Sequence, residues 1–217
     1  APMSTIAGQL AFVVGSYHLL KHNKGKGVMI GHMDDMDPRV VTVIGAGVAG
    51  TQSILKAIDN KALVKVVDSS QSKLDHLKSK YGTENVEYIL SSKDSIQVSV
   101  NESDLVIGSV YVVGKEAPKV ITKDMLSSMN PGTVMVDVSI DQGGCFETSK
   151  PTTHDSPTFL ENEIVHYCVT NMPGAVPLTA TEALNKVSLS YVENLANNGI
   201  QNALDSDEHL RNGLNLS

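Results

Sequence analysis

The sequence contains no tryptophan, and it has only two cysteines, Cys145 and Cys168, among 217 residues. The two cysteines are far apart in the chain and have no partner spacing that suggests a metal site. This scarcity excludes a disulfide framework and predicts that no metal is bound. Both cysteines are predicted to be buried, reduced thiols of a cytoplasmic protein.

Excess positive charge and long apolar runs are also missing. The formal net charge is −7 and the pI is near 5.4, whereas surfaces that bind nucleic acids or acidic membranes need clustered Lys and Arg. No apolar run approaches the ~18–20 residues of a membrane span, and the start, APMSTIAGQL, lacks the order of a signal peptide. We therefore expect no nucleic-acid or membrane partner. The chain begins at Ala1 with Met3 inside, which predicts that further sequence precedes it.

Hydrophobic residues make up 41% of the chain and charged residues 19%, which is typical of a globular protein with a packed core. The length suits one α/β domain with an attached piece. Apolar residues in Ser4–Leu20 recur near a helical period, with Ser4 or Thr5 as the predicted N-cap. The polar stretch that follows, up to Pro38, is predicted to be a loop with room for one short strand.

From residue 40 onward, short β-branched runs alternate with helical patterns. The six predicted strands are Val40–Gly45, Leu63–Asp68, Val86–Leu90, Asp104–Val110, Thr133–Ser139 and Ile164–Thr170. Helical segments between them, such as SSQSKLDHLKSKYG and TKDMLSSMNPG, end at a glycine. Apolar strands separated by helices predict an α/β fold with a doubly wound, Rossmann-type parallel sheet. After Met172 the pattern becomes helical again.

A glycine-rich turn, Gly45-Ala46-Gly47-Val48-Ala49-Gly50, directly follows the first predicted strand and opens a predicted helix. In dinucleotide-binding folds the first glycine permits the turn, the second admits a pyrophosphate and the third allows close helix packing. Asp68 ends the second strand, where an acid would bind the adenosine ribose hydroxyls. Because that carboxylate repels a 2′-phosphate, NAD is favoured over NADP. The alternative is a glycine turn in a fold that binds no nucleotide.

The segment DVSIDQGGCFE leaves the end of the fifth predicted strand. Ligands of open α/β sheets lie beyond the carboxyl ends of the strands, so Asp141 is expected near a nicotinamide ring. Asp141, Gly143 and Gly144 are equally well explained as turn residues. Two histidines are candidate proton carriers, but His166 is better explained as a hydrogen-bonded core histidine and His154 as a loop or cap residue.

Five segments, taken together, closely resemble the alanine dehydrogenase family: PMSTIAGQLA, VIGAGVAG, VDVSIDQGGCFET, PTTHDSPTF and NMPGAVPLTATEAL. The resemblance implies oxidation of L-alanine to pyruvate and ammonia with NAD, and a homo-oligomer, commonly a hexamer. It makes Asp141 the active-site aspartate. The cofactor contacts that it implies are Ser4, Gly45, Ala46, Gly47, Val48, Ala49, Gly50, Asp68, Lys73, Ser91, Val110, Tyr111, Val138, Asn171 and Met172.

One departure from the family concerns catalysis. Family members carry a stretch before the position of Ala1 that supplies an arginine for the substrate carboxylate, a catalytic lysine and the catalytic histidine, and their C-terminal tail is longer. We therefore expect a connecting helix in residues 1–20, a dinucleotide-binding domain in 21–172 and a helical return to a largely missing substrate domain in 173–217. Such a segment is expected to bind NAD but to turn over little or no alanine.

Two alternatives stand beside this interpretation. The NAD(H)-binding subunit of proton-translocating transhydrogenase shares the turn and the acid, but it typically has a glutamate and a QGGNCE-like continuation where this chain has Asp141 and its successors. A catalytically silent NAD-binding module is the other alternative, because the catalytic histidine, lysine and arginine are not in this sequence.

Overall fold

A computed structural model describes residues 2–31, 33–112 and 114–215. Contacts divide the chain into two compact units, Met3–Ala175 and the segment that begins at Val176. The first unit is built around one seven-stranded sheet. No helix in the described part of the chain is long and apolar enough to cross a membrane.

The sheet has the strand order β3-β2-β1-β4-β5-β7-β6, and every pairing is parallel except β6 with β7. The strands are β1 (Val40–Ile44), β2 (Leu63–Asp68), β3 (Val86–Leu90), β4 (Leu105–Gly108), β5 (Val134–Asp137), β6 (Thr158–Glu161) and β7 (Ile164–Tyr167). The chain order reverses between β1 and β4, which is the switch point of a doubly wound fold. The predicted α/β Rossmann-type fold is therefore confirmed.

Helices cover both faces of the sheet in the first unit, and a long helix forms most of the second. The α-helices are α1 (Pro2–His18), α2 (Val48–Asp59), α3 (Gln71–Tyr81), α4 (Lys93–Glu102), α5 (Lys123–Leu126), α6 (Pro177–Ser206) and α7 (Glu208–Asn212), and 3-10 turns occupy Lys21–Asn23, Ile140–Gln142 and Met172–Ala175. The helix α6 contains one non-helical residue, Gly199, with φ 72° and ψ 166°.

Alternate residues of the central strands face two different cores. Val41 and Val43 of β1 join one buried cluster with α1 and α2, whereas Ile44 joins the other cluster, beneath α4. Thr42 also faces α4, and its hydroxyl lies 2.6 Å from that of Ser103. The same alternation explains why the central strands are apolar on both faces.

The structure differs from the sequence predictions at several elements. The antiparallel edge strand β6 was not predicted; it pairs with β7 through a two-residue turn in which Asn162 and Glu163 both have positive φ, without the glycine that usually marks such a turn. The helix α1 begins at Pro2, so Ser4 lies within it and not at its N-cap. The helix α5 is only four residues long. In the described part of 21–38 there is a 3-10 turn and no strand.

Candidate functional site

The carboxyl edge of the sheet gathers almost all of the residues singled out by the sequence. The glycine turn follows β1, Asp68 ends β2, Ser91 follows β3, Val110 and Tyr111 follow β4, Val138 and Asp141 follow β5, and Asn171 and Met172 follow β7. Lys73 lies in the first turn of α3, just after β2. Because neighbouring strands are parallel, these positions share one edge, where open α/β sheets bind their ligands.

The three glycines of the turn have different surroundings. Gly45 has φ 98°, and a Cβ there would lie 2.6 Å from the carbonyl oxygen of Ser109. A Cβ on Gly50 would lie 1.7 Å from the carbonyl oxygen of Gly45. Gly47 is exposed, is the N-cap of α2, and has no atom within 4 Å of an added Cβ. The first and third glycines are therefore required by the fold, whereas the second leaves open space beside the start of a helix.

That helix start offers unpaired donors. The first backbone N–H groups of an α-helix have no acceptor within the helix, and the helix dipole places partial positive charge there. No side chain caps α2 at Gly47. An anion such as a diphosphate would supply the missing acceptors.

Asp68 lies beside the glycine turn and is tied to it. Its side chain accepts hydrogen bonds from the backbone N–H of Ala46 at 2.7 Å and of Ser70 at 2.8 Å, and the residue is only 6% exposed. Lys73 Nζ lies 3.8 Å from Asp68 Oδ2. The carboxylate of Asp68 and the amine of Lys73 thus lie together at the end of β2, next to the open space at Gly47.

Ser109, which directly follows the neighbouring strand β4, supports the turn, and the sequence did not reveal it. Its hydroxyl donates to the carbonyl oxygen of Gly45 at 2.7 Å. The two residues are 64 positions apart in the chain, so no local pattern could have indicated the contact. The next residues, Val110 and Tyr111, continue along the edge, and Tyr111 is 64% exposed.

Asp141 lies in the 3-10 turn after β5 and is exposed. Within the described residues its side chain makes no hydrogen bond or ion pair. Gly143 and Gly144 follow with φ of 86° and 76°, a left-handed conformation that glycine adopts most readily. The chain therefore turns back sharply after Asp141, and the carboxylate is left accessible at the edge.

A second aspartate, Asp137, ends β5 and is fully buried. Its side chain accepts hydrogen bonds from the backbone N–H groups of Ser139 at 2.9 Å and Cys145 at 2.8 Å. The hydroxyl of Ser149 donates to it at 2.5 Å. Asp137 was not among the sequence candidates, although its place at the end of an apolar strand was a signal that could have identified it.

The two candidate histidines have different environments. His154 is exposed, and its Nε2 lies 3.3 Å from the carbonyl oxygen of Asn171 at the carboxyl edge. His166 is fully buried within β7, between the hydroxyl of Thr148 and the carbonyl oxygen of Ile164. Burial lowers the pKa of His166. The interpretation of His166 as a hydrogen-bonded core histidine is confirmed.

The cysteines are free and buried, as predicted. Burial, together with the negative charge of Asp137, raises the pKa of the Cys145 thiol well above its ordinary value. The same causes raise the pKa of Cys168 to about 12. Because the thiolate is the reactive form of cysteine, neither residue is suited to nucleophilic catalysis.

Ser4 lies on a separate helix, α1. A Cβ on Gly8 of α1 would lie 2.0 Å from the carbonyl oxygen of Ala49, and the hydroxyl of Ser53 donates to the carbonyl oxygen of Gly8 at 2.7 Å. A Cβ on Gly15 would meet Leu105, at the amino end of β4. The helix α1 therefore runs from the carboxyl edge to the amino edge, and Ser4 lies on the part nearest the glycine turn.

A doubly wound sheet with a glycine turn at its switch point and an acid at the end of the second strand defines a dinucleotide-binding protein of the Rossmann class. Residues 11–217 match the family described as alanine dehydrogenase/PNT, C-terminal domain. The chain belongs to this family and corresponds to its nucleotide-binding portion, which confirms the predicted family and agrees with NAD as the predicted cofactor.

Individual relatives show how specific the match is. The chain is 48% identical over 216 residues to an alanine dehydrogenase of Halomonas elongata and 45% identical over 214 residues to one of Mycolicibacterium smegmatis. These matches cover 100% and 99% of this chain but only 58% and 57% of the relatives. The chain therefore spans a little more than half the length of these curated relatives.

Solved structures agree with the sequence relatives. An L-alanine dehydrogenase matches with a TM-score of 0.95 and 42% identity, over 100% of this chain and 59% of its own. A transhydrogenase from Sinorhizobium meliloti matches with a TM-score of 0.81 and 21% identity, over 97% of this chain and 59% of its own. At that identity the second match shows the shared fold alone.

Proposed function

We propose that this chain is the NAD-binding portion of an alanine dehydrogenase, which converts L-alanine, NAD and water to pyruvate, ammonia and NADH. The observation that carries the proposal is the identity of 48% to an alanine dehydrogenase over 216 residues, which cover 100% of this chain. Because the chain covers 58% of that relative, the full reaction is assigned to the complete protein.

The residues fit a dinucleotide. The open space at Gly47 and the uncapped start of α2 suit a diphosphate. Asp68 presents a carboxylate that can accept hydrogen bonds from ribose hydroxyls and that repels a 2′-phosphate. When bound, NAD supplies the hydride acceptor of the reaction. The proposed cofactor contacts are Ser4, Gly45, Ala46, Gly47, Val48, Ala49, Gly50, Asp68, Lys73, Ser91, Val110, Tyr111, Val138, Asn171 and Met172.

Asp141 is the proposed catalytic residue of this chain. It is exposed at the carboxyl edge, and no partner among the described residues occupies its carboxylate. The carboxylate is therefore available to accept a hydrogen bond from a substrate amine or to orient a water molecule. Hydride transfer also needs the substrate held close to the cofactor, and the residues that do this in the family are outside this chain, so the segment alone should bind NAD without turning over alanine.

Calorimetric titration with NAD and NADP tests the cofactor assignment. The wild-type chain should bind NAD more tightly than NADP. Asp68→Ala should weaken NAD binding at least about tenfold, about 1.4 kcal/mol, and should raise the affinity for NADP relative to NAD, because the repulsion is removed. The control is Asp75→Ala, an exposed aspartate on α3, which should leave both affinities unchanged. Binding of neither nucleotide by folded protein would overturn the assignment.

Activity measurements distinguish the proposed alanine dehydrogenase from the NAD(H)-binding subunit of a transhydrogenase. The complete protein should form NADH from NAD only when L-alanine is added, whereas a transhydrogenase subunit would exchange hydride with an NADP-bound partner. The 217-residue chain alone should show no alanine-dependent formation of NADH. Alanine-dependent turnover by this chain alone would contradict the proposed division between the cofactor and substrate portions.

We also propose that the complete protein is a homo-oligomer and that it is located in the cytoplasm. The long helix α6 exposes six large apolar side chains: Leu178, Leu184, Val187, Leu189, Val192 and Ile200. Exposed apolar surface of this extent is typical of an interface. Light scattering on the complete protein should therefore show an assembly larger than a monomer, and a hexamer would match the family.

A further inference from the structure

The loop that carries Asp141 is organised around the buried side chain of Asp137. One carboxylate oxygen accepts the backbone N–H of Ser139, before Asp141 in the chain. The other accepts the backbone N–H of Cys145 at 2.8 Å and that of Phe146 at 3.4 Å, after Asp141. The loop residues on both sides of Asp141 are therefore hydrogen-bonded to one side chain, that of Asp137.

Additional contacts hold the same loop in place. The hydroxyl of Ser139 donates to the carbonyl oxygen of Val110 at 2.8 Å, which joins the loop to the end of β4. On the outer side, Lys119 Nζ donates to the carbonyl oxygens of Gly143 and Gly144. A Cβ on Gly144 would lie 2.8 Å from Asp137 Oδ2. The Asp137 carboxylate thus lies directly against the turn at Gly144, and a larger residue at position 144 would clash with it.

Asp141 itself has no side-chain partner among the described residues, so its position is set by the backbone of the loop. That backbone depends on Asp137. We propose that Asp137 is a positioning residue, which holds the Ser139–Ser149 loop so that Asp141 stays at the carboxyl edge in its catalytic place. This inference rests on the proposed function, in which Asp141 acts on the substrate.

An amide cannot replace this carboxylate. In Asp137→Asn the NH2 group must take the place of one oxygen. It then faces the N–H of Ser139, or it faces the N–H groups of Cys145 and Phe146. Two donors cannot satisfy each other, so one end of the loop is released in either orientation. The side-chain shape is nevertheless kept, which limits the damage to the hydrogen bonds.

The test compares Asp137→Asn with Asp104→Asn in the complete protein. Asp104 is also a buried carboxylate, which accepts the N–H of Val40 and pairs with Lys26, but it lies at the amino edge of the sheet. Asp104→Asn therefore reproduces a loss of stability without disturbing the Asp141 loop. For each variant, kcat and KM for L-alanine are measured, with the dissociation constant of NADH and the Tm.

We expect Asp137→Asn to lower kcat about 10²-fold, the loss associated with a misplaced catalytic group, and to leave the NADH dissociation constant within about threefold. Asp104→Asn should keep kcat within about threefold of the wild type at a comparable loss of Tm. If kcat falls equally in both variants, or if NADH affinity falls as much as kcat in Asp137→Asn, Asp137 is only structural and the proposal is overturned.

Ser149→Ala provides a second variant if Asp137→Asn does not fold. It removes the hydroxyl that donates to Asp137 at 2.5 Å but keeps the carboxylate and its backbone donors. The same pattern is expected on a smaller scale: kcat falls several-fold and NADH affinity is unchanged. An unchanged kcat in Ser149→Ala would overturn the proposal. A wild-type protein that binds no NADH and oxidises no alanine would overturn the proposed function, and this inference with it.

Discussion

At the scale of single residues, the three glycines of the turn separate what the fold needs from what a ligand needs. Gly45 and Gly50 are fixed by contacts within the protein, since a Cβ on either would meet a backbone oxygen at 2.6 Å or less. Gly47 has φ −78° and ψ −164°, an extended conformation open to any residue, and it faces open space. The pattern of glycines was readable from the sequence, but this division of roles was not, because it depends in part on Ser109, which directly follows the neighbouring strand β4.

Gly47→Val should therefore block NAD without harming the fold. A Cβ added at this position has no protein atom within 4 Å, and valine favours the extended conformation, so only about 1 kcal/mol of helix capping is at stake. A side chain in the space proposed for the diphosphate should raise the dissociation constant of NAD more than about tenfold. Calorimetry with NAD, together with the Tm, measures both effects.

The control for this substitution is Gly50→Ala. An added methyl group would lie 1.7 Å from the carbonyl oxygen of Gly45, so the Tm and the NAD affinity should fall together. Equal NAD affinity in Gly47→Val and wild type would show that the diphosphate does not occupy this space.

At the scale of elements, the sequence predicted the strands that have a clear apolar pattern, and it missed the features that depend on contacts between distant segments. All six parallel strands were predicted, because the buried strands β1, β4, β5 and β7 are mostly apolar runs and because β2 and β3 are rich in β-branched and aromatic residues. The edge strand β6 was missed, since its segment Thr158–Glu161 is only partly buried and its turn to β7 uses Asn162 and Glu163. The packing of α1 on α2 was equally hidden, because it depends on Gly8 lying opposite Ala49, 41 positions later in the numbering.

That packing predicts that Gly8→Ala displaces α1 from α2. In an exposed helix alanine would be more stable than glycine by about 1 kcal/mol. Here its methyl group would lie 2.0 Å from the backbone oxygen of Ala49, and overpacking of this kind costs about 1–3 kcal/mol. Because Ala49 belongs to the first turn of α2, NAD affinity should fall as well. Urea unfolding and calorimetry check the two effects.

Gly15→Ala is the matched substitution on the same helix. The three atoms nearest to its methyl group would all belong to the side chain of Leu105, with the two terminal methyl groups at 2.5 and 2.9 Å, and a side chain can move by a change of rotamer more easily than a backbone oxygen. It should be less destabilising than Gly8→Ala and should leave NAD affinity unchanged. The reverse order of stabilities would mean that α1 is not held against α2 at Gly8.

At the scale of the whole molecule, the fold of the first unit followed from the alternation of strands and helices, whereas the hydrogen-bond partners of the buried polar groups did not. Strand spacing places Asp68 and Asp141 at one edge, so the outline of the candidate site was predictable. The contacts of Asp137 and His166 were not predictable, because each depends on donors or acceptors that meet only in the folded chain. The buried histidines, His18 and His166, make the stability of the fold depend on pH.

The stability of the folded protein should decrease when the pH falls below about 6.5. Burial lowers the pKa of both His18 and His166, so the folded protein keeps them neutral while the unfolded chain takes up protons near the ordinary value of 6.5. The unfolded state then binds more protons, and the free energy of unfolding falls with decreasing pH, by at most about 1.4 kcal/mol per pH unit for each histidine. The fall ends below the lowered pKa values. The hydrogen bond with Lys123 lowers the pKa of Glu161 below its ordinary value of 4.5. The stability that this bond contributes is therefore lost only at lower pH, where Glu161 becomes protonated.

Urea unfolding between about pH 7.5 and about pH 5.5, on either side of the ordinary histidine value, measures this slope. His166→Gln should be less stable than wild type at neutral pH but should show a shallower dependence on pH, because one of the two buried bases is gone. Thr148→Val removes the hydroxyl that contacts His166 at 2.8 Å but keeps the histidine, so it should lower stability throughout and retain the slope. A slope in His166→Gln as steep as that of the wild type would show that the acid sensitivity of the fold arises from other groups.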